Sequence, residues 1–445
     1  EYRINPEEFK SSYDIGRFVN IAGNLGIDFI TASGGVCVED FNNDGNLDII
    51  ASGWFLNEQV KVMFNNGDGT FKDVTETSTL KGITGGLDMK CADYNNDGWM
   101  DILIPRGAWW NDFGKLPASL IRNNGDGTFT DVTYETGLME HLYPTQASVF
   151  ADFNNDGWLD IYFGNETRRD TEKYPCELFL SDGKGKFKNV AKEAGADILC
   201  FAKGVAASDY NNDGYMDICI SSQGTENFLL RNDTGKNGGK IKFTDVTKEA
   251  GVGLPIKSFP VAFLDFNNDG WQDLTIQTYD AENCDYDNAA EYFNKPVKGE
   301  YSILYKNNGD GTFTDVTKEM NMQVAMTVMG LSFGDLDNDG WMDIYSGTGT
   351  PNYTSLVPKR MFRNNEGKSY QDITHSGGFG HLQKGHGIGF GDVDNDGDQD
   401  VYEDMGGGYE GDGFQGAFYE NPGISGNNWV SLQLVGVKAN KSAMG

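Results

Sequence analysis

The chain has 445 residues, 59 glycines, 13% aromatic residues and a formal net charge of −32. So acidic a surface argues against nucleic acid or an anionic membrane as partner. No run of eighteen apolar residues occurs, which excludes a helix that crosses a bilayer, and so much glycine beside aromatics suits short packed strands joined by tight turns.

Residues 1–12 are polar, with no apolar signal-peptide core, as in a secreted chain after processing and equally in a cytosolic one, so the start does not decide the compartment. From Gly16 the segment GRFVNIAGNLGID has the form of a fourth strand with its exit loop; the same pattern returns as KFTDVTKEAGVG from Lys242. No acidic loop precedes it. Residues 1–22 therefore read as an N-terminal segment carrying one strand without a sheet of its own.

The nine-residue motif D-x-[ND]-x-D-G-x-x-D then occurs seven times, its first aspartates 53, 59, 57, 56, 70 and 57 residues apart. A period of this size marks a repeat protein in which each unit is one supersecondary element. An apolar run enters each loop, and an aliphatic residue (Ile49, Ile102, Ile161, Ile218, Leu274, Ile344, Val401) opens a second strand behind it. A third strand ends in a glycine turn such as NNGDGTF, and a fourth follows as FTDVT. Glycine turns between short β-rich runs are hairpin signals. Four antiparallel strands repeated seven times predict an all-β, seven-bladed β-propeller. The seventh unit lacks its fourth strand. Phe18–Ile21 is expected to supply it and close the ring, leaving no open sheet edge.

The loops predict metal. Hard cations take six to eight oxygens at 2.3–2.6 Å, and short carboxylates at alternate positions provide them. Positions 1, 3, 5 and 9 offer side-chain oxygens, and position 7 offers its backbone carbonyl. The candidate ligands are Asp40, Asn42, Asp44, Asn46 and Asp48 in loop 1, and Asp93, Asn95, Asp97, Trp99 and Asp101 in loop 2. Loop 3 has Asp152, Asn154, Asp156, Trp158 and Asp160; loop 4 has Asp209, Asn211, Asp213, Tyr215 and Asp217. Loop 5 has Asp265, Asn267, Asp269, Trp271 and Asp273; loop 6 has Asp335, Asp337, Asp339, Trp341 and Asp343. Loop 7 completes the set with Asp392, Asp394, Asp396, Asp398 and Asp400. The expected cofactor is Ca²⁺, one ion per blade, about seven in all. The aromatic residues at position 7 are expected to pack over the blade ends.

These loops, with the NNGDGTFTDVT segments, resemble the FG-GAP/VCBS repeats of integrin α-subunits and many secreted bacterial proteins. The tail from Asn427, through Asn428, Trp429, Leu434, Gly436, Asn440 and Gly445, resembles the opening of an ASPIC/UnbV domain. The division that follows is residues 1–22, a propeller over 23–426, and the start of a truncated ASPIC/UnbV-like segment over 427–445, whose alternation suggests one more strand. The resemblance implies an extracellular setting and leaves activity open.

Six cysteines without a C-x-x-C give no support to zinc or redox chemistry. Cys37, Cys91 and Cys219 read as buried thiols, while Cys176 and Cys200 leave a disulfide open. Asn165, Asn232, Asn352 and Asn440 head N-x-[ST] sequons, which an Asn-rich chain produces by chance. No nucleophile elbow, HExxH or phosphate loop is present.

Ligand contacts are expected on the face opposite the acidic loops, where connections vary in length. Six residues before each loop the chain has Gly34, Leu87, Gln146, Lys203, Phe259, Met329 and His386, chemically unlike one another and placed to start the strand beside the channel. Candidate ligand residues are Trp109, Trp110, Arg168, Arg169, Lys203, Tyr286, Tyr353 and His386, with Tyr174 and Tyr409 nearby. The function this predicts is a secreted calcium-binding propeller that acts as an extracellular binding or adhesion module for glycan or protein. The alternative is a polysaccharide-active propeller enzyme of lyase or dehydratase type, which needs an acid/base cluster at the channel mouth.

Overall fold

The computed structural model describes residues 3–423, 426–430, 432, 434 and 436. Seven four-stranded antiparallel sheets form the blades of one ring. In blade 3 the strands are Thr145–Ala151, Asp160–Asn165, Glu177–Ser181 and Phe187–Asn189, numbered one to four from the channel outward. Neighbouring blades pack through apolar faces: Ala147, Tyr162 and Leu178 of blade 3 share a cluster with Val205, Ile218 and Leu230 of blade 4.

The FTDVT signature has a structural origin. Its threonine Oγ1 accepts the N–H of a strand-three residue, as Thr133 does from Leu120 (2.9 Å) and Thr247 from Leu229 (2.9 Å). A helical turn follows, such as Ala191–Ala194, which ends at Gly195 in the left-handed region (φ 73°). Glycine pays no steric penalty there.

Blade 7 is assembled from both ends of the chain. Its first three strands are Gly385–Gly391, Asp400–Met405 and Ala417–Glu420, and the fourth is Val19–Asn20, with Val19 opposite Glu420 and Asn20 opposite Tyr419. The paired strand is shorter than Phe18–Ile21. Phe18 turns inward instead, 2% exposed, with its ring 4.7 Å from that of Phe379.

Other readings change. The long connection after blade 5's second strand carries a helix, Cys284–Tyr292, which hydrophobic periodicity did not mark because its residues are mostly polar. The six cysteines are free thiols, including Cys176 and Cys200, and Cys91 is half-buried rather than buried. Asn165 and Asn232 are 0% and 1% exposed, so neither sequon is open to a glycan. The tail shows no strand among its described residues, and most of the ASPIC/UnbV-like segment lies outside them.

Deleting residues 1–22 removes the outer strand of blade 7 and exposes the edge of Ala417–Glu420. The truncated chain should melt lower and aggregate as its concentration rises. Phe18→Ala alone should cost about 3–5 kcal/mol, as measured by denaturant unfolding. A truncated chain that melts like the full one would show that the ring does not depend on this strand.

Candidate metal loops and channel-mouth pocket

Each acidic loop turns on its own carboxylates. In loop 3 the N–H of Asp156 donates to Asp152 Oδ1 (3.0 Å) and Asn154 Oδ1 (2.9 Å). Gly157 donates to Asp152 Oδ2 (2.8 Å), and Trp158 to Asp156 Oδ1 (3.0 Å). Loops 1, 2, 4 and 5 repeat these bonds. The ninth-position aspartate lies deeper. Asp160 is fully buried and accepts from Phe153 N–H (3.1 Å) and Ser181 N–H (2.8 Å), tying the loop to strand three.

Burial without a cation is costly for these carboxylates. It pushes the pKa of Asp48 and Asp273 up to about 7, and that of Asp101, Asp160, Asp217 and Asp400 up to about 8. Asp343 moves in the same direction for the same reason. Loop 7 carries five carboxylates. Burial, then the charge of Asp396, raises Asp398 to about 7, and Asp392 Oδ1 and Asp398 Oδ1 are buried with no hydrogen-bond partner among the described residues. Orphaned oxygens in an all-oxygen donor set fit Ca²⁺.

The position-7 side chains lie on the glycine turns between strands three and four. A Cβ at Gly183 would come within 2.6 Å of the Trp158 indole, and one at Gly125 within 2.6 Å of Trp99. The ring thus excludes every residue but glycine from that contact, and the two turns share one face.

The fourth position offers no metal ligand, yet it is asparagine in all seven loops. These residues (Asn43, Asn96, Asn155, Asn212, Asn268, Asn338, Asn395) sit in the left-handed region, φ 51–61°. The first six donate from their side-chain amide to the position-6 glycine carbonyl of the next blade's loop, at 2.6–3.1 Å. At the ring seam Asn395 donates to the Asn46 side chain instead (2.9 Å). A second set runs in the opposite direction. Asn65, Asn123, Asn232, Asn307, Asn364 and Asn421, at the ends of third strands, each donate to a position-2 carbonyl of the preceding blade at 2.8 Å.

On the opposite face, a cavity of about 200 Å³ opens where the channel meets the connections between strands two and three. Trp54, Trp109, Phe259, Tyr279, Lys384 and His386 are among its lining residues. Below it, Leu87, Gln146, Lys203, Phe259, Met329 and His386 line the channel itself. Trp109 is held at φ 68°, a strained geometry for a bulky residue, by its N–H bond to Glu166 Oε2 (2.7 Å).

Lys203 and Glu166 form a fully buried ion pair beneath this tryptophan. The Lys203 ammonium lies 3.3 Å from the Trp109 ring centroid and 3.9 Å from that of Phe201. Burial lowers the Lys203 pKa to about 8, against the pull of Glu166, and burial raises the Glu166 carboxyl. Burial, and then the charge of Lys359, lowers His386 to about 4, so its imidazole is neutral at physiological pH. At the rim Lys384 Nζ pairs with Asp412 (2.7 Å), and Tyr353 stacks on Tyr409 with centroids 5.3 Å apart.

The expected ligand residues therefore separate. Trp109 and His386 meet at the pocket, with Lys203 lining the channel beneath. Trp110 stacks behind them on Trp54 (5.5 Å), and Arg168 lies over Phe201 (4.9 Å) with a bond to Asn111. Tyr174 is buried, its hydroxyl bound to Asp112 (2.5 Å). Arg169 is exposed, and Tyr286, on the helix, carries the Lys298 ammonium 3.8 Å from its ring centroid; neither lines the pocket. Trp54, Tyr279, Pro351 and Lys384 escaped notice because nothing local in sequence distinguishes them.

A seven-bladed propeller with an acidic turn in every blade defines a class, and comparison with known proteins supplies the family. The FG-GAP-like repeat model matches residues 16–104, 109–163, 209–276 and 297–346, more than half of the chain, which therefore belongs to the FG-GAP-like repeat family. Human cartilage acidic protein 1 is 25% identical over 361 residues, covering 75% of this chain and 49% of that protein. The mouse protein of the same name is 25% identical over 312 residues, covering 67% and 43%. The chain thus spans about half the length of the curated relatives it matches. A solved Agrocybe aegerita lectin, described as recognising non-reducing terminal N-acetylglucosamine, superposes with a TM-score of 0.46 at 20% identity, covering 78% of this chain and 81% of that one. No helix among the described residues is long and apolar enough to cross a membrane.

The fourth-position asparagines give a clean test. Asn155→Gly keeps the left-handed backbone and removes only the bond to Gly214, so it should cost about 0.5–1.5 kcal/mol. Asn155→Ala should cost more, because it adds backbone strain. Equal melting of both variants and the parent chain would remove the inter-blade role.

Proposed function

We propose that this chain is a secreted, calcium-loaded propeller that binds an extracellular glycan or protein at its channel mouth. The metal reading is carried by the oxygen-only donor set repeated in seven turns, with buried, partnerless carboxylate oxygens at Asp337 in loop 6 and at Asp392 and Asp398 in loop 7. By motif count each loop offers one Ca²⁺ the oxygens of positions 1, 3, 5 and 9 and the position-7 carbonyl. Bound there, the ion neutralises like charges that otherwise repel across each turn. The name of cartilage acidic protein 1 supports an extracellular setting, where millimolar Ca²⁺ fills weak sites.

For the ligand, the supporting feature is an aromatic pocket in an otherwise acidic molecule. Trp109, Tyr279 and Tyr409 give flat stacking surface, and Lys384 and neutral His386 give polar edges. This is the usual make-up of a small-molecule or side-chain site: apolar walls with a few convergent polar groups. The enzyme alternative is disfavoured. Of the carboxylates near the pocket, Glu166 is bound to Lys203 and Asp412 to Lys384, so neither is free for acid/base work.

Thermal melts should rise with Ca²⁺ and fall in excess chelator. At ~1 mM Ca²⁺ and a Kd of ~10 µM each site adds about 2.7 kcal/mol. An unchanged midpoint, with no Ca²⁺ found by elemental analysis, would sink the metal reading.

A glycan and protein binding screen in Ca²⁺ should identify the ligand. Trp109→Ala should then weaken binding at least tenfold while the Ca²⁺-dependent melt persists. Affinity that survives this change but falls with Trp158→Ala would put the site on the acidic-loop face.

A further inference from the structure

Loop 6 departs from the other six. In loops 1–5 and 7 the position-5 N–H donates to the position-3 side-chain oxygen, at 2.9–3.2 Å. In loop 6 the Asp339 N–H donates to Asp335 Oδ1 (3.0 Å), and Asp337 has turned toward Arg363. Arg363 Nε donates to Asp337 Oδ2 (2.5 Å) and a terminal nitrogen to Asp339 Oδ2; the other terminal nitrogen reaches Gln371 (3.2 Å). Tyr13, from the N-terminal segment, donates its hydroxyl to Asp337 Oδ2 (2.9 Å), and the guanidinium lies 3.9 Å from the Tyr13 ring centroid. The side chains of Arg363, Asp337 and Asp339 are 8%, 2% and 16% exposed.

The register of Arg363 is not unusual; what it does there is. It stands next to the last residue of strand three, as do Arg122, Arg231 and Lys306 in blades 2, 4 and 5. Arg231 turns to Asp233 beyond the loop (2.9 Å). Lys306 comes within 3.4 Å of Asp269 and Lys236 within 3.6 Å of Asp213, but both are substantially exposed. Only in blade 6, among the described residues, does a buried cation bridge two ligand positions. Loop 6 also has a fourth aspartate, Asp337, where loops 1–5 have asparagine, so one fixed positive charge returns it to their net charge. A bidentate fork on two carboxylates is strong and geometrically demanding. Arg363 takes the Oδ2 atoms, and the second Asp337 oxygen is buried without a partner; Ca²⁺ at loop 6 would have to bind there directly beside a guanidinium that keeps its proton.

We propose that Arg363 is the resident cation of loop 6, so that the chain takes six Ca²⁺ ions and the junction of blade 6 with the N-terminal segment holds without metal. The ion count rests on the calcium reading of the other loops; the latch does not.

The test is a Ca²⁺ count on the full chain by native mass spectrometry, with hydrogen exchange in excess chelator. The parent chain should carry six ions and Arg363→Gln seven. Seven ions in the parent, or six in the variant, would overturn the proposal. A parent with no ions would refute the calcium reading instead, and exchange then decides. In chelator the amides of residues 336–343 should exchange at least tenfold more slowly than those of 153–160 in blade 3. Equal exchange would overturn the latch. Both parent-chain measurements stand even where the variant fails to fold.

Discussion

Everything in this molecule hangs on the buried ninth aspartate of each loop. Its two oxygens receive one N–H from inside the loop and one from the end of strand three, so a single carboxylate aligns three of a blade's four strands. Asp48, Asp101, Asp160, Asp217, Asp273 and Asp343 are completely buried and Asp400 is 2% exposed. Two backbone bonds do not repay the desolvation of a charge, which is why burial raises all seven of these carboxyls above the usual carboxylate range. The acidic turn is thus both the alignment device of the blade and its chief electrostatic liability. A divalent ion bound there would offset the liability, as would an arginine where the register lets it reach.

The same turn couples blades. Because the sixth-position glycine carbonyl faces the preceding blade, the fourth-position asparagine there can bond to it, and a third-strand asparagine bonds back across the junction except in blade 3, where Ser181 stands in its place. Each junction from blade 1 to blade 7 then has polar ties beside its apolar contact, in a repeat architecture whose stability is a sum of unit and interface terms. The seam between blades 7 and 1 is built differently. There Asn395 meets a side chain, Asn46, rather than a glycine carbonyl, and Val19–Asn20 supplies the missing strand. The closing junction is chemically distinct because loop 1 carries Asn46 at the position where loops 2–6 carry an aromatic residue.

What was legible in the sequence is what repeats locally. The motif spacing yielded seven blades, the alternating oxygens yielded the ligand positions, and the glycine turns yielded the strand order. What was not legible depends on partners far away in the chain. Asn155 was an invariable letter without a role, because its partner, Gly214, lies 59 residues on. Trp54, Tyr279 and Lys384 come from blades 1, 5 and 7 and meet only when the ring closes. The helix Cys284–Tyr292 is too polar to show an apolar stripe. Trp109 is intermediate: an aromatic insertion was visible, but its strained backbone and its place over Lys203 were not.

Arg363 shows where pattern reading ends even within a repeat. Arg122, Arg231 and Arg363 share one register, so a repeat alignment makes them equivalent. The structure separates them through two substitutions outside that column. Asp337 replaces the asparagine of loops 1–5, and Tyr13 arrives from a segment belonging to no blade. Loop 7, with two more aspartates than loops 1–5, has its Gly397 N–H bond at 3.1 Å, against 2.7–2.8 Å for the equivalent bonds of the other six. In loop 6 that bond stays at 2.8 Å despite the fourth aspartate. There the guanidinium, packed against the Tyr13 ring, pairs with both Asp337 and Asp339. Closely similar motifs therefore need not share one charge balance; the electrostatics of each turn are settled by what the rest of the chain brings to it.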